Sequence, residues 1–181
     1  MKTFFLVTVV LLFELYGYGQ NTTSRLTIQS GGSLSFYFNS LDKYKNGIAY
    51  PNWTSLRIYY NDTTDTGGTG TYPTWKLDVK ALSSSLTGDA GNTLDLDLIE
   101  IEAASVTGVT NATLTGIHAL SDSDVSLVTD GDITDPGTAT VMINYYFGQS
   151  KTISGNGLTD QNPLPNPDYY TVDILFTLGR N

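Results

Sequence analysis

The feature that most constrains this chain is a period-two alternation of apolar and polar side chains, with almost no helical periodicity. Residues 75–82 read WKLDVKAL, so every second side chain from Trp75 to Ala81 is apolar and the intervening ones are charged. Successive side chains of a strand point to opposite faces of a sheet. This segment is therefore predicted to be an antiparallel strand with one buried and one solvated face.

Similar short segments recur along the chain and are separated by stretches rich in Gly, Asn, Asp, Ser and Pro. No segment has the length and spacing of a crossover helix, so a parallel sheet is not expected. The sequence predicts an all-β protein, an antiparallel immunoglobulin-like or pilin-like β-sandwich of about nine strands. The predicted strands cover residues 26–28, 33–38, 53–60, 75–82, 94–103, 113–120, 124–129, 138–147 and 169–178.

The phase of the alternation slips inside residues 94–103 (LDLDLIEIEA). Leucines occupy one parity up to Leu98, and the apolar residues from Ile99 onward occupy the other. A slip of one residue turns a whole apolar set to the other face of a sheet. We therefore expect a β-bulge near Leu98, or a strand that crosses between sheets at that point.

Residues 1–19 are predicted to be a cleaved signal peptide. The apolar run Phe4–Phe13 is about half the ~20 residues that a membrane-spanning helix needs, and Gly17 and Gly19 suit the small-residue subsites of a signal peptidase. Residues 20–181 are then expected to form a single domain. The protein is predicted to be exported to the extracellular space, the cell surface or the periplasm, with no transmembrane anchor after signal removal.

Charge and cysteine content restrict the partners. The formal net charge of −9 would repel phosphate backbones, which argues against nucleic acid as a partner. The chain has no cysteine, so burial alone has to stabilise the exported domain, and no disulfide can contribute.

No catalytic set emerges from the sequence. The single histidine, His118, lies among apolar residues, and the only glutamates after the signal peptide are Glu100 and Glu102. These two lie near Asp95 and Asp97, which fall on the opposite parity, so a glycosidase-type carboxylate pair is one interpretation. A solvated polar stripe is the simpler one. We therefore predict that the protein is not an enzyme.

An acidic segment, residues 122–135, contains a candidate calcium site. Asp130, Asp132 and Asp135 flank a glycine in a predicted turn and could offer several oxygen ligands. Asp and Gly also occur in turns for backbone reasons alone. No other cofactor is expected.

Exposed aromatic side chains are a second candidate binding feature. Trp53, Tyr50, Tyr59 and Tyr145 could present rings to a glycan, whose sugar rings stack on flat apolar surfaces. Packing in the core or against the face of a sheet is the alternative for each of them.

Two segments resemble known bacterial surface proteins. Residues 74–81 (TWKLDVKA) resemble the Trp-x-Leu strand of WxL surface domains, and residues 169–178 (YYTVDILFTL) resemble their closing strand, with Phe-Thr-Leu where those domains have a second Trp-x-Leu. The same ending is similar to that of fimbrial subunits. Likeness to WxL domains implies attachment to peptidoglycan, and likeness to fimbrial subunits implies polymerisation by donation of an N-terminal strand.

These observations favour a non-catalytic bacterial protein of the cell surface or extracellular space, with a structural or adhesive role. A secreted carbohydrate- or cell-wall-binding module is the alternative. The expected partners are other surface-protein subunits, or a cell-wall or glycan polymer.

Overall fold

The computed structural model of this chain describes residues 22–37, 40–64, 72–132, 139–148, 158–161 and 164–181. The predicted signal peptide lies outside these residues. Within them, no helix is long and apolar enough to cross a bilayer. The strands are β1 (Thr22–Ser30), β2 (Ile48–Asp62), β3 (Trp75–Ala81), β4 (Ser85–Gly88), β5 (Thr93–Asp95), β6 (Ile99–Thr107), β7 (Thr113–Leu114), β8 (His118–Ala119), β9 (Val125–Gly131), β10 (Ala139–Phe147), β11 (Tyr170–Thr171) and β12 (Ile174–Arg180), and α1 is Leu41–Asn46.

The strands form three sheets, and every pair of neighbours is antiparallel. The largest sheet has the order β1-β2-β10-β6-β8, a second has β12-β3-β9-β7, and the smallest has β11-β4-β5. In the largest sheet, Val141 of β10 pairs with Leu56 of β2 on one side and with Val106 of β6 on the other. The prediction of an antiparallel all-β protein is confirmed.

The five-stranded and four-stranded sheets contribute to one buried core. The inward side chains predicted for β3 are all buried: Trp75 and Leu77 are fully inaccessible, and Val79 and Ala81 nearly so. Trp75, Leu77 and Val79 share this core with side chains of the five-stranded sheet, among them Leu56, whereas Ala81 belongs to a second buried cluster. A fully buried Leu or Val side chain stabilises the fold by about 1.5–3 kcal/mol, so β3 is a principal contributor to the core.

The prediction of a solvated opposite face for β3 is wrong at Asp78, which is 6% exposed. Its carboxylate pairs with Lys76 Nζ (2.8 Å) and accepts a hydrogen bond from Ser126 Oγ (2.6 Å).

The phase slip at Leu98 coincides with a change of sheet, as predicted. Strand β5 ends at Asp95, a 3-10 turn covers Leu96–Leu98, and β6 begins at Ile99. Strand β5 belongs to the three-stranded sheet and β6 to the five-stranded one. The turn keeps the leucines of one parity and the isoleucines of the other buried, because the chain changes course between them.

The predicted second strand, residues 33–38, is wrong for the part that the structure describes. Residues 33–37 lie in no strand, because the chain leaves the edge of the sheet at Gly31. Gly31 has φ +68, and a Cβ there would overlap the carbonyl of Trp53. Only glycine combines that backbone conformation with so close an approach to another strand. Strand β4 was not predicted, and the segment 113–120 forms two short strands instead of one.

The closing segment, predicted as one strand over residues 169–178, is divided between two sheets. Strand β11 pairs with β4, whereas β12 is the edge strand beside β3. The predicted parity is correct, since every second side chain from Tyr170 to Leu178 is half-buried and Leu175 between them is exposed. As an edge strand, β12 has one row of backbone groups without a partner strand among the described residues.

Candidate binding clefts

Residues 31–37 form an extended segment that is held by side chains and not by a neighbouring strand. Burial alternates along it, with Leu34 and Phe36 half-buried between exposed neighbours. The carbonyl oxygens of alternate residues accept hydrogen bonds from side chains of β2 and α1, a period-two pattern typical of an extended chain. The four bonds are Thr54 Oγ1 to Gly31 O (2.8 Å), Trp53 Nε1 to Ser33 O (3.0 Å), Tyr50 Oη to Ser35 O (3.1 Å) and Lys43 Nζ to Tyr37 O (3.2 Å).

The intervening residues present the opposite edge of this segment. In an extended chain, the N–H and C=O groups of successive residues point alternately to the two sides. The backbone groups of Gly32, Leu34 and Phe36 therefore point away from β2, and within the described residues none of them makes a hydrogen bond. Segment 31–37 thus carries one satisfied edge and one unpaired edge.

A groove of about 450 Å³ lies along this unpaired edge. One wall is residues 31–36, and the other is residues 169–174 together with Phe176. Tyr145 and Phe147 belong to its lining. We call it the edge groove, because segment 31–37 and edge strand β12 border it.

A second cleft of about 340 Å³ adjoins the edge groove and is dominated by tyrosine. Tyr37, Tyr44, Tyr169 and Tyr170 line it, and Phe36, Tyr169 and Tyr170 also line the edge groove. Tyr37 is 65% exposed and Tyr169 is 47% exposed. We call this site the tyrosine cleft. The sequence prediction of aromatic contacts did not include these residues.

Asp168 fixes the chain that forms one wall of the tyrosine cleft. Its carboxylate accepts hydrogen bonds from Asn92 Nδ2 (2.8 Å), from the backbone N–H of Ala90 (3.2 Å) and from the backbone N–H of Tyr169 (2.8 Å). A Cβ at Gly88 would overlap this carboxylate, so the close approach depends on glycine. The hydrogen bonds, that from Asn92 first, hold the pKa of Asp168 below its usual value.

This lowered pKa predicts a stability difference that depends on pH. A carboxyl whose pKa is lowered by folding contributes stability above its unfolded value of about 3.9, and the contribution disappears as the pH falls through the lower folded value. We expect Asp168→Asn to lower the thermal midpoint at pH 7, and the deficit to shrink below about pH 4. Asp95→Asn, at an exposed position, is the control. A deficit that stays constant from neutral to acidic pH would contradict the role given to the Asp168 carboxylate.

Trp53 and Tyr50 lie together at the base of segment 31–37. Their ring centroids are 5.0 Å apart, and Tyr50 is also 5.3 Å from Phe36. Trp53 is 40% exposed. Its indole N–H and the Tyr50 hydroxyl both donate hydrogen bonds to carbonyl oxygens of segment 31–37. The structure therefore brings these two predicted residues together, where they support the wall of the edge groove.

The other two predicted glycan contacts do not join them as exposed rings, although Tyr145 is the cross-strand partner of Tyr50. Tyr145 is 4% exposed, and its hydroxyl lies 2.9 Å from Thr54 Oγ1, so the expectation of an exposed ring is wrong for this residue. It points inward because it shares the core-facing parity of Ile143 in β10, and burial raises the pKa of its phenol. Tyr59 is half-buried and lies six positions from Trp53 along β2, roughly 20 Å away.

The two glutamates of β6 do not form a solvated stripe. Glu100 is 2% exposed, because β6 is an interior strand and the cross-strand neighbours of Glu100 are Tyr146 and Ala119. Glu102 Oε1 accepts hydrogen bonds from Asn144 Nδ2 and from Tyr146 Oη, both at 2.7 Å. Burial, followed by the hydrogen bond to Glu102, raises the pKa of the Tyr146 phenol.

The remaining candidates for catalysis are scattered. Asp95 is exposed, Asp97 is half-buried, and His118 Nε2 lies 2.9 Å from Thr115 Oγ1. Neither these residues nor the two glutamates line the edge groove or the tyrosine cleft.

Two of the three predicted calcium ligands act as acceptors for protein donors. Asp132 Oδ2 accepts from the backbone N–H (3.0 Å) and the side chain (2.8 Å) of Asn111, and Asp130 Oδ1 accepts from Asn181 Nδ2 (2.7 Å). Asp135 lies outside the described residues. Among the residues described, no group of three or more His, Asp or Glu side chains is placed to hold a metal ion. The calcium site stays a prediction.

Two comparisons with known proteins were without a match. No family model matches this chain, and no curated protein matches it. Function is therefore proposed from the geometry of the two clefts and from the sequence.

Proposed function

We propose that this chain is an exported, non-catalytic protein of the bacterial surface or extracellular space, with a structural or adhesive role. Its two larger sheets would form an immunoglobulin-like or pilin-like sandwich after removal of residues 1–19. The observation that carries the structural role is the unpaired edge of Gly32, Leu34 and Phe36 along the edge groove. We infer that this edge accepts an extended segment of another protein subunit.

Backbone chemistry supports strand addition at this place. Unpaired N–H and C=O groups in a row are a template for another strand, and folded proteins usually cover or blunt such edges. An added strand gains main-chain hydrogen bonds from the edge and specificity from alternate side chains that enter pockets. Between Leu34 on one wall and Ile174 and Phe176 on the other, the groove offers apolar surface for such side chains.

The incoming strand is not the paired N-terminal strand of the chain itself. Thr22–Ser30 pairs with β2 of the same sheet, with Leu26 opposite Ile58. This use of β1 leaves the resemblance to strand-donating fimbrial subunits as a prediction. In our proposal the extended segment comes from a second molecule.

Assembly state is the test of this role. Residues 20–181 are expected to form ladders or filaments, seen by size-exclusion chromatography and negative-stain microscopy. Gly32→Pro should abolish them, since proline removes the N–H that faces the groove, and a Cβ at Gly32 meets only Ile28 at an ordinary 3.8 Å. Ser33→Pro, which removes an N–H on the opposite side, is the matched control.

Circular dichroism should show that both proline variants remain folded. Equal loss of assembly in the two variants would contradict the proposed edge. A monodisperse monomer at all concentrations would contradict self-assembly and leave an adhesive binding role.

A further inference from the structure

The walls of the tyrosine cleft are fixed before any ligand enters. The Tyr169 hydroxyl lies 2.7 Å from Ser35 Oγ, which links the wall that precedes β11 to segment 31–37. The Tyr170 hydroxyl donates to the carbonyl of Asn166 at 2.9 Å. Tyrosine has few rotatable bonds, so rings held in this way offer contact area at a small entropic cost. The cleft volume of about 340 Å³ is within the range of small-molecule sites.

Charge in the cleft indicates a neutral ligand. Among the described residues that line it, none is positively charged, and the only acid is Asp168. A cation lies beside the cleft, the Lys43 ammonium, 6.0 Å from the centroid of the Tyr37 ring, so these two charges are of opposite sign. That carboxylate already accepts hydrogen bonds from Asn92 and from two backbone N–H groups. A polyanion would also be repelled by the net charge of −9.

Hydrogen-bonding capacity then separates two neutral ligand classes. Pro165 and Pro167 in the lining have backbone carbonyls but no N–H groups. The Tyr170 hydroxyl already donates its hydrogen bond to the carbonyl of Asn166. The described lining therefore offers several acceptors, which suit a ligand that brings donors. A proline-rich peptide has few donors of its own. A saccharide carries many hydroxyl donors, and the C–H faces of its rings are apolar surfaces that stack on aromatic rings.

We propose that the tyrosine cleft binds a neutral saccharide, with Tyr37 and Tyr169 as the stacking rings. This site contains none of the sequence-predicted glycan contacts, which are Trp53, Tyr50, Tyr59 and Tyr145. It adjoins the edge groove and shares Phe36, Tyr169 and Tyr170 with it, whereas Tyr37 lines the tyrosine cleft and not the edge groove.

Isothermal titration calorimetry on the full mature chain tests this inference with three neutral probes: cellohexaose, maltohexaose and mannohexaose. We expect at least one to bind. Tyr37→Ala and Tyr169→Ala should each weaken binding several-fold, up to about tenfold, in line with the loss of one ring contact. Tyr72→Ala is the matched control, because Tyr72 is 46% exposed and lies outside the cleft.

Tyr169→Phe separates stacking from a general disturbance of the cleft, since it keeps the ring and removes only the contact with Ser35. We expect it to retain most of the affinity. Failure of all three sugars to bind would overturn the inference, as would equal losses in Tyr72→Ala or a loss in Tyr169→Phe as large as in Tyr169→Ala. Binding of a decaproline peptide in place of the sugars would assign the cleft to a peptide and overturn it as well.

Discussion

Trp75→Ala is expected to lower the free energy of unfolding by about 3–5 kcal/mol, a large part of the stability of a domain of this size. Trp75 is fully buried at the start of β3. Its ring covers Gly131 on the neighbouring strand, where a Cβ would overlap the indole. Alanine would leave a cavity that this backbone contact cannot close. It would also remove the donor to the carbonyl of Asp132, now 2.7 Å from Trp75 Nε1.

Urea unfolding followed by circular dichroism measures this loss without depending on tryptophan fluorescence. Trp53→Ala is the matched control, because Trp53 is 40% exposed and makes one comparable hydrogen bond, to Ser33 O. We expect about 2 kcal/mol for that variant, the sum of one such bond and of the ring contact with Tyr50. Similar losses for the two tryptophans would contradict the assignment of Trp75 to the core.

Gly31→Ala is expected to cost about 2–5 kcal/mol, although it adds only one methyl group. The positive φ of Gly31 costs an L-residue about 1–2 kcal/mol. The added Cβ would also overlap the backbone of Trp53 and Thr54, which has to move because it is not a flexible side chain. Overpacking of this kind typically costs about 1–3 kcal/mol. Segment 31–37 should shift, and the edge groove with it.

Gly91→Ala isolates the two contributions. Gly91 has φ +83, and a Cβ there would meet no atom within 4 Å, so only the backbone strain applies. The difference between the two variants in denaturant unfolding then measures the steric overlap at Gly31. If both variants lose the same free energy, segment 31–37 does not depend on its close approach to β2.

Local alternation predicted the parts of the fold that one strand determines. The core-facing set of β3 and the change of sheet near Leu98 both follow from the rule that adjacent side chains of a strand face opposite sides. The same rule assigned residues 33–37 the correct alternation but the wrong element. Strand assignment also depends on a hydrogen-bonding neighbour, and the conformation of Gly31 moves this segment away from β2.

The tyrosine cleft was beyond sequence reasoning for a different reason. Alternation implies that Tyr37 faces outward, but nothing local says that it lines the same cleft as Tyr169, which is far away in the chain. Glu100 illustrates the same limit. Alternation correctly placed it on the face opposite Ile99 and Ile101, but the prediction that this face is solvated was wrong, since Glu100 is buried. Burial there follows from the position of β6 between β10 and β8, which is a property of topology.

The position of β10 between β2 and β6 also determines when the protein can fold. The largest sheet lacks its middle until residues 139–147 are available, so a nascent chain that ends before them cannot join β2 to β6. Pairing of strands so distant in sequence requires closure of long loops, which places folding in the slow range of milliseconds to seconds. A chain that folds late and slowly remains unfolded during synthesis. Passage through an export channel as an unfolded chain is then possible, which suits the export that the sequence predicts.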